Sequence, residues 1–136
     1  MATDCPSAQP DMEGARVIGV VERGSGGPQV AYVSGTVPVT PEVLRTSGPV
    51  PPTHVMRFAA RCEESACQHF DGTNCQLATR VARALEPVVR HLPACAIRRT
   101  CRWHAQEGRA ACLRCPQVVT RMEDADPHMR EIAGLA

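Results

Sequence analysis

The chain has 136 residues, 15 arginines against 14 acidic side chains, and only four aromatic residues, Tyr32, Phe58, Phe70 and Trp103. That length favours one domain with room for a small appendage, and no run approaches the roughly 18 apolar residues that a membrane span needs. The first basic residue is Arg16, and the stretch before it lacks the positive and apolar regions of a secretory signal, so the sequence points to the cytoplasm.

A core of Val, Leu and Ala buries less area per side chain than one rich in Phe and Trp. Eight cysteines are the evident supplement. In a reducing compartment they suggest metal or redox chemistry before disulfides.

Residues 1–14 read as a flexible tail, and Cys5 within it as a spare thiol. Residues 15–61 read as a small β-rich element. Two β-branched runs flank "GSGGP" there, as in a hairpin with a loose turn. Thr40-Pro41-Glu42 then starts a short helix, with a capping hydroxyl, proline at the first helical position and an acid in the first turn. Gly48 and Pro49 end it, and "HVMRFAAR" (54–61) predicts another strand.

Residues 62–121 form a cysteine-rich module. In "CQLATRVARAL", Leu77, Val81 and Leu85 recur every four residues, which predicts a helix capped by Thr73 or Asn74. Pro87 stops it. Thr100 is placed to cap a second helix, "CRWHAQE", with Gly108 as its C-terminal glycine. Residues 122–136 read as an acidic tail with one short helix, begun at Asp126-Pro127 and ended at Gly134. The fold class predicted is α+β, a β-hairpin element followed by a helical, cysteine-ligated metal module.

The cysteines are spaced Cys62-x4-Cys67-x7-Cys75-x19-Cys95-x5-Cys101-x10-Cys112-x2-Cys115. Zinc modules usually show two tight pairs, because two such knuckles serve one tetrahedral ion. Here only Cys112/Cys115 is tight, and Cys62/Cys67 is loose. Iron–sulfur cubanes accept irregular spacing, since four thiolates must reach four corners of a larger object. Pro116, directly after the last cysteine, matches one feature of bacterial ferredoxin motifs; the full run of those motifs is absent. A dithiol redox pair belongs at a helix N-terminus, whereas Cys112/Cys115 follows a predicted helix.

This reading assigns Cys95, Cys101, Cys112 and Cys115 to an iron–sulfur cluster, [4Fe–4S] by preference. Cys62, Cys67 and Cys75 form a further set, either a second site or part of a shared one. Seven thiols exceed one cluster's four and fall one short of two, and His69, two residues after Cys67, is the candidate eighth ligand. A half-exposed loop histidine is the plainer reading of that residue. Zinc in place of iron stays open.

Charge divides along the chain. Residues 1–75 carry net −3, residues 76–121 net +7, and residues 122–136 net −3. Arg98, Arg99, Arg102, Arg109 and Arg114 lie close in sequence to the candidate ligands and suit the negative charge of a thiolate-bound cluster. They equally suit a protein redox partner with an acidic face. Nucleic acid ranks behind it, because Trp103 alone interleaves the arginines. Trp103 reads as a cover over cluster or core, and Glu63, Glu64 and Glu107 read as solvated surface.

The functional expectation is a small iron–sulfur protein that exchanges electrons with a partner enzyme or senses redox state. A zinc-stabilised module that binds protein or nucleic acid is the alternative. A third reading is an enzyme with an iron–sulfur cluster at its active site, although the sequence marks no catalytic residue.

Overall fold

The computed structural model describes residues 3–121 and 125–134, so residues 122–124, 135 and 136 of the expected acidic tail lie outside the described residues. The fold is α+β: strands β1 (Asp4–Ala8), β2 (Arg16–Gly24), β3 (Gly27–Pro38) and β4 (Met56–Arg61) form an antiparallel sheet in the order β1-β4-β2-β3, with several short helices. Strands β2 (Arg16–Gly24) and β3 (Gly27–Pro38) make the expected hairpin, closed by the Gly24–Gly27 pair. Gly27 there has a φ of 92°, a left-handed value that glycine adopts without steric cost.

Strand β4 (Met56–Arg61) lies between β1 and β2, and all but its last residue are buried. Alternate side chains point to opposite faces of a strand. Met56, Phe58 and Ala60 therefore enter one core with Ala8 and Val17, beneath Val43 and Leu44 of α1 (Pro41–Arg45) and Val55 of α2 (Pro52–Val55). Phe58 is wholly buried there and contributes roughly 1.5–3 kcal/mol through its lost apolar surface.

The opposite face offers Arg57 and Ala59. Ala59 and Ile18 share a second core with Val81 of α3 (Gln76–Ala84) and Trp103 of α4 (Arg102–Glu107). Ala111 of α5 (Arg109–Cys112) and Ile132 of α6 (Pro127–Ile132) complete it. Helices α3 to α6 thus pack on one face of the sheet through one shared core. Gly19 marks a bulge in β2, and a Cβ there would sit 2.5 Å from Val30 Cγ1 and 2.8 Å from the Ala31 carbonyl oxygen.

One segment departs from the flexible tail that its composition suggests. Residues Asp4–Ala8 form β1, an edge strand paired with β4. An edge tolerates Pro6, which has no N–H to give to a ladder. Long-range bonds hold the strand. Asp4 N donates to the Thr100 carbonyl at 2.8 Å, Thr100 Oγ1 donates to Asp4 Oδ2 at 2.5 Å, and Arg16 pairs with the same carboxylate at 2.7 Å.

The helix ends show which cues hold. Thr40 and Asp126 cap α1 and α6 through their side chains, and Gly108, at φ 66°, ends α4. The cap of α3 is Cys75, however, and not Thr73 or Asn74, whose amides are both taken by Asp71 Oδ1. Likewise Cys101 occupies the cap position of α4, while Thr100 turns to Asp4.

Candidate functional site

The cysteines fall into two groups of four around separate cavities. Cys95, Cys101, Cys112 and Cys115 line the first, with Tyr32, Arg98 and His104. It is a small cavity of about 20 Å³. Cys5, Cys62, Cys67 and Cys75 line the second, a cavity of about 600 Å³. Trp103 is buried and forms part of both walls. All eight thiols are free of disulfides. Among the described residues, no three His, Cys, Asp or Glu side chains gather tightly enough to hold a single metal ion; the thiols ring a space.

Local structure explains how each thiol arrives. In the first group Cys101 sits at the cap position of α4, where the nearby amides of Trp103 and His104 favour its thiolate. Cys112 ends α5, and Cys115 begins a single 3-10 turn that Pro116 fixes. Cys95 comes from the irregular segment that follows α3. Burial pushes the Cys101 thiol up to about 12, and the neighbouring thiols of Cys115 and Cys95 add to that shift. Burial also raises Cys112, an effect that the nearby Arg98 opposes.

Arg57 lies behind this group with 0% exposure. Its Nε donates to the Pro6 carbonyl at 2.6 Å, and its Nη1 to the carbonyls of Cys115 and Val118 at 2.8 and 2.9 Å. Nη2 donates to Cys115 Sγ at 2.9 Å, and the guanidinium carbon stands 5.5 Å from the centre of the Trp103 ring. No ion pair joins Arg57 to a carboxylate among the described residues. Desolvation acts against its charge, but the Cys115 and Tyr32 groups outweigh it and hold the guanidinium protonated. Tyr32 is shifted up in turn by burial and by Cys115.

In the second group Cys75 Sγ accepts from the Ala78 amide at 3.5 Å, at the start of α3, and Cys67 Sγ accepts from the His69 amide at 3.5 Å. Cys62 Sγ accepts from Arg102 Nε at 3.2 Å. Burial pushes Cys5 up to about 12, with the thiols of Cys62 and Cys75 adding to it.

The five arginines expected beside the thiols divide. Arg102 reaches sulfur, and Arg98 lines the first cavity with Cys112. Arg109 and Arg114 instead donate to the main-chain carbonyls of Arg90, Leu85 and Ala110, and Arg99 is exposed. Arg98 Nε is buried without an acceptor. His69 lies at the second cavity with its Nδ1 3.1 Å from Arg80 Nη2, while His104 Nδ1 is 3.3 Å from Cys112 Sγ at the first.

Two residues of these sites escape sequence reasoning. Cys5 lies far from the other thiols in the chain and joins them only through strand pairing. Arg57 carried a signal, a lone cation inside the apolar run "VMRFAA". Compared with protein-family models, with curated proteins and with solved structures, the chain matches none. No helix among the described residues is long and apolar enough to cross a membrane.

Proposed function

We propose that this protein is an iron–sulfur electron carrier whose cluster is held by Cys95, Cys101, Cys112 and Cys115. The buried Arg57 supports this reading most directly. A guanidinium does not give up its proton, and removing a charge from water costs several kcal/mol unless an opposite charge compensates. Of the atoms that accept from Arg57, only Cys115 Sγ can become an anion. A thiolate bound to iron supplies that charge permanently.

Three further features agree. Four thiols lining one cavity match the ligand count of a cubane cluster. The unpartnered Arg98 Nε offers a second donor beside Cys112. The half-buried setting of these thiols is among the features that tune a cluster's reduction potential. The partner proposed is a protein with an acidic face. It docks on the exposed Arg90, Arg99 and Arg109, which flank Cys95, Cys101 and Cys112 in sequence.

Anaerobic purification followed by iron and sulfide analysis tests the proposal. A brown protein with acid-labile sulfide and broad thiolate-to-iron absorption is the expected result. A colourless protein that carries zinc and no sulfide refutes it.

A further inference from the structure

We infer that Cys5, Cys62, Cys67 and Cys75 form a second, complete four-thiolate iron–sulfur site, with Cys5 and not His69 as the fourth ligand. The inference rests on the iron–sulfur reading of the first group and concerns a different cavity.

Strand register brings Cys5 in. In the β1–β4 ladder Cys5 stands opposite Ala60, and the Cys62 amide donates to the Thr3 carbonyl at 2.9 Å, two positions further on. Cys62 is therefore the diagonal neighbour of Cys5 on adjacent strands, a relation that places side chains roughly 7–8 Å apart or less. Such spacing suits two corners of a cluster.

The other two thiols are aimed by local devices. Glu64, between Cys62 and Cys67, has a φ of 49°. A non-glycine residue holds that left-handed conformation at a cost of order 1–3 kcal/mol, and such strain gathers at functional sites. The ion pair of Glu64 with Arg102, at 3.3 Å, holds the turn. Cys75 caps α3 through its sulfur, and Cys67 takes the His69 amide. Hydrogen bonds to sulfur are the means by which a protein stabilises cluster thiolates.

The two groups repeat one design. Arg102 donates to Cys62 Sγ at 3.2 Å as Arg57 donates to Cys115 Sγ, and each guanidinium also stands near an aromatic ring, Phe70 at 5.1 Å and Trp103 at 5.5 Å.

His69 is excluded by its hydrogen bond. Arginine has donors and no acceptor, so the contact with Arg80 requires Nδ1 to accept. A neutral ring in that state carries its proton on Nε2. Neither nitrogen then has a free lone pair for iron.

The test is anaerobic reconstitution of the full chain with ferrous iron and sulfide, followed by iron counts. The wild-type chain should take up about eight iron atoms, two cubanes of four. Cys5→Ser should keep about half the wild-type iron, and His69→Ala all of it. Cys67→Ser, in a loop outside the sheet, repeats the Cys5 measurement without disturbing β1 and should also keep about half. Wild-type iron content in both cysteine variants overturns the second site and leaves the first standing, as does loss of half the iron in His69→Ala. A wild-type chain that takes up no iron overturns the underlying reading as well.

Discussion

Arg57 and Cys115 are 58 residues apart in the chain, and the guanidinium of one donates to the sulfur of the other across 2.9 Å. Arg57→Met should act on stability and on redox behaviour together. It removes the Arg57 donor from the carbonyls of Pro6 and Val118, while the Cys115 carbonyl keeps the Val118 amide at 3.0 Å. Unmet buried groups cost about 1–3 kcal/mol each, and measured losses on breaking buried charged networks run to about 3–5 kcal/mol. Urea unfolding should show a loss of that order. The midpoint potential of any surviving cluster should fall, because a nearby cation favours the reduced, more negative state. Arg57→Lys keeps the charge and should shift the potential less. Equal potentials in all three proteins refute the assignment.

The buried thiols set an alkaline limit for the metal-free chain. Cys5 and Cys101 stand near 12 in the folded protein against 9.0 for a free thiol. The unfolded chain therefore loses these protons first as pH rises, and binds fewer protons than the folded chain between about 9 and about 12. Stability is greatest below pH 9 and declines across that window. A cluster-loaded protein has already lost those protons and should not show the same slope. Chemical denaturation of both forms at pH 8, 9 and 10 measures the difference. A metal-free protein as stable at pH 10 as at pH 8 contradicts the burial of these groups.

Much of the fold is legible in sequence where the cue is local. Thr40-Pro41-Glu42 and Asp126-Pro127 start helices because a cap and a proline act within four residues. Gly24 to Gly27 closes a hairpin for the same reason. Cues fail where a distant residue competes. Asp71 takes the Thr73 and Asn74 amides and moves the α3 cap to Cys75, and Asp4 draws Thr100 away from α4. The division of the cysteines is partly legible. The grouping of Cys95, Cys101, Cys112 and Cys115 follows their nearness in sequence, and they line one cavity. Cys5 reaches its cavity through β1–β4 pairing across more than fifty residues, which no spacing rule contains.

That pairing makes a direct prediction for residues 4–8. The amides of Asp4 and Cys62 are bonded to Thr100 and Thr3 carbonyls. Hydrogen exchange in the intact protein should find them protected well beyond free-peptide rates, as ladder amides are. Asp4→Ala removes both the Arg16 ion pair and the Thr100 bond and should speed exchange through β1 while β2 and β4 stay protected. Free-peptide exchange at Asp4 in the unaltered chain restores the flexible tail that the composition suggests.

The arginines separate into those that serve the thiols and those that face outward, and charge reversal should distinguish them. Arg98 reaches into the first cavity beside Cys112. Arg98→Glu places a carboxylate against thiolates there and should lower cluster content sharply. Arg99 is exposed, so Arg99→Glu should leave cluster content unchanged. Its effect falls on encounter with an acidic redox partner, which long-range attraction speeds. Electron exchange should slow for Arg99→Glu at low ionic strength. The difference from wild type should vanish towards 1 M salt, where the Debye length is about 3 Å. Nucleic-acid binding is salt-sensitive too, so the partner class needs its own measurement. Titration with labelled single-stranded and duplex DNA and RNA at moderate salt provides it. Saturable binding to any of them, weakened by Arg99→Glu, replaces the electron carrier with a cluster-containing regulator. With no such binding, slowed exchange in Arg99→Glu alone identifies the exposed arginines as the docking face for an acidic protein.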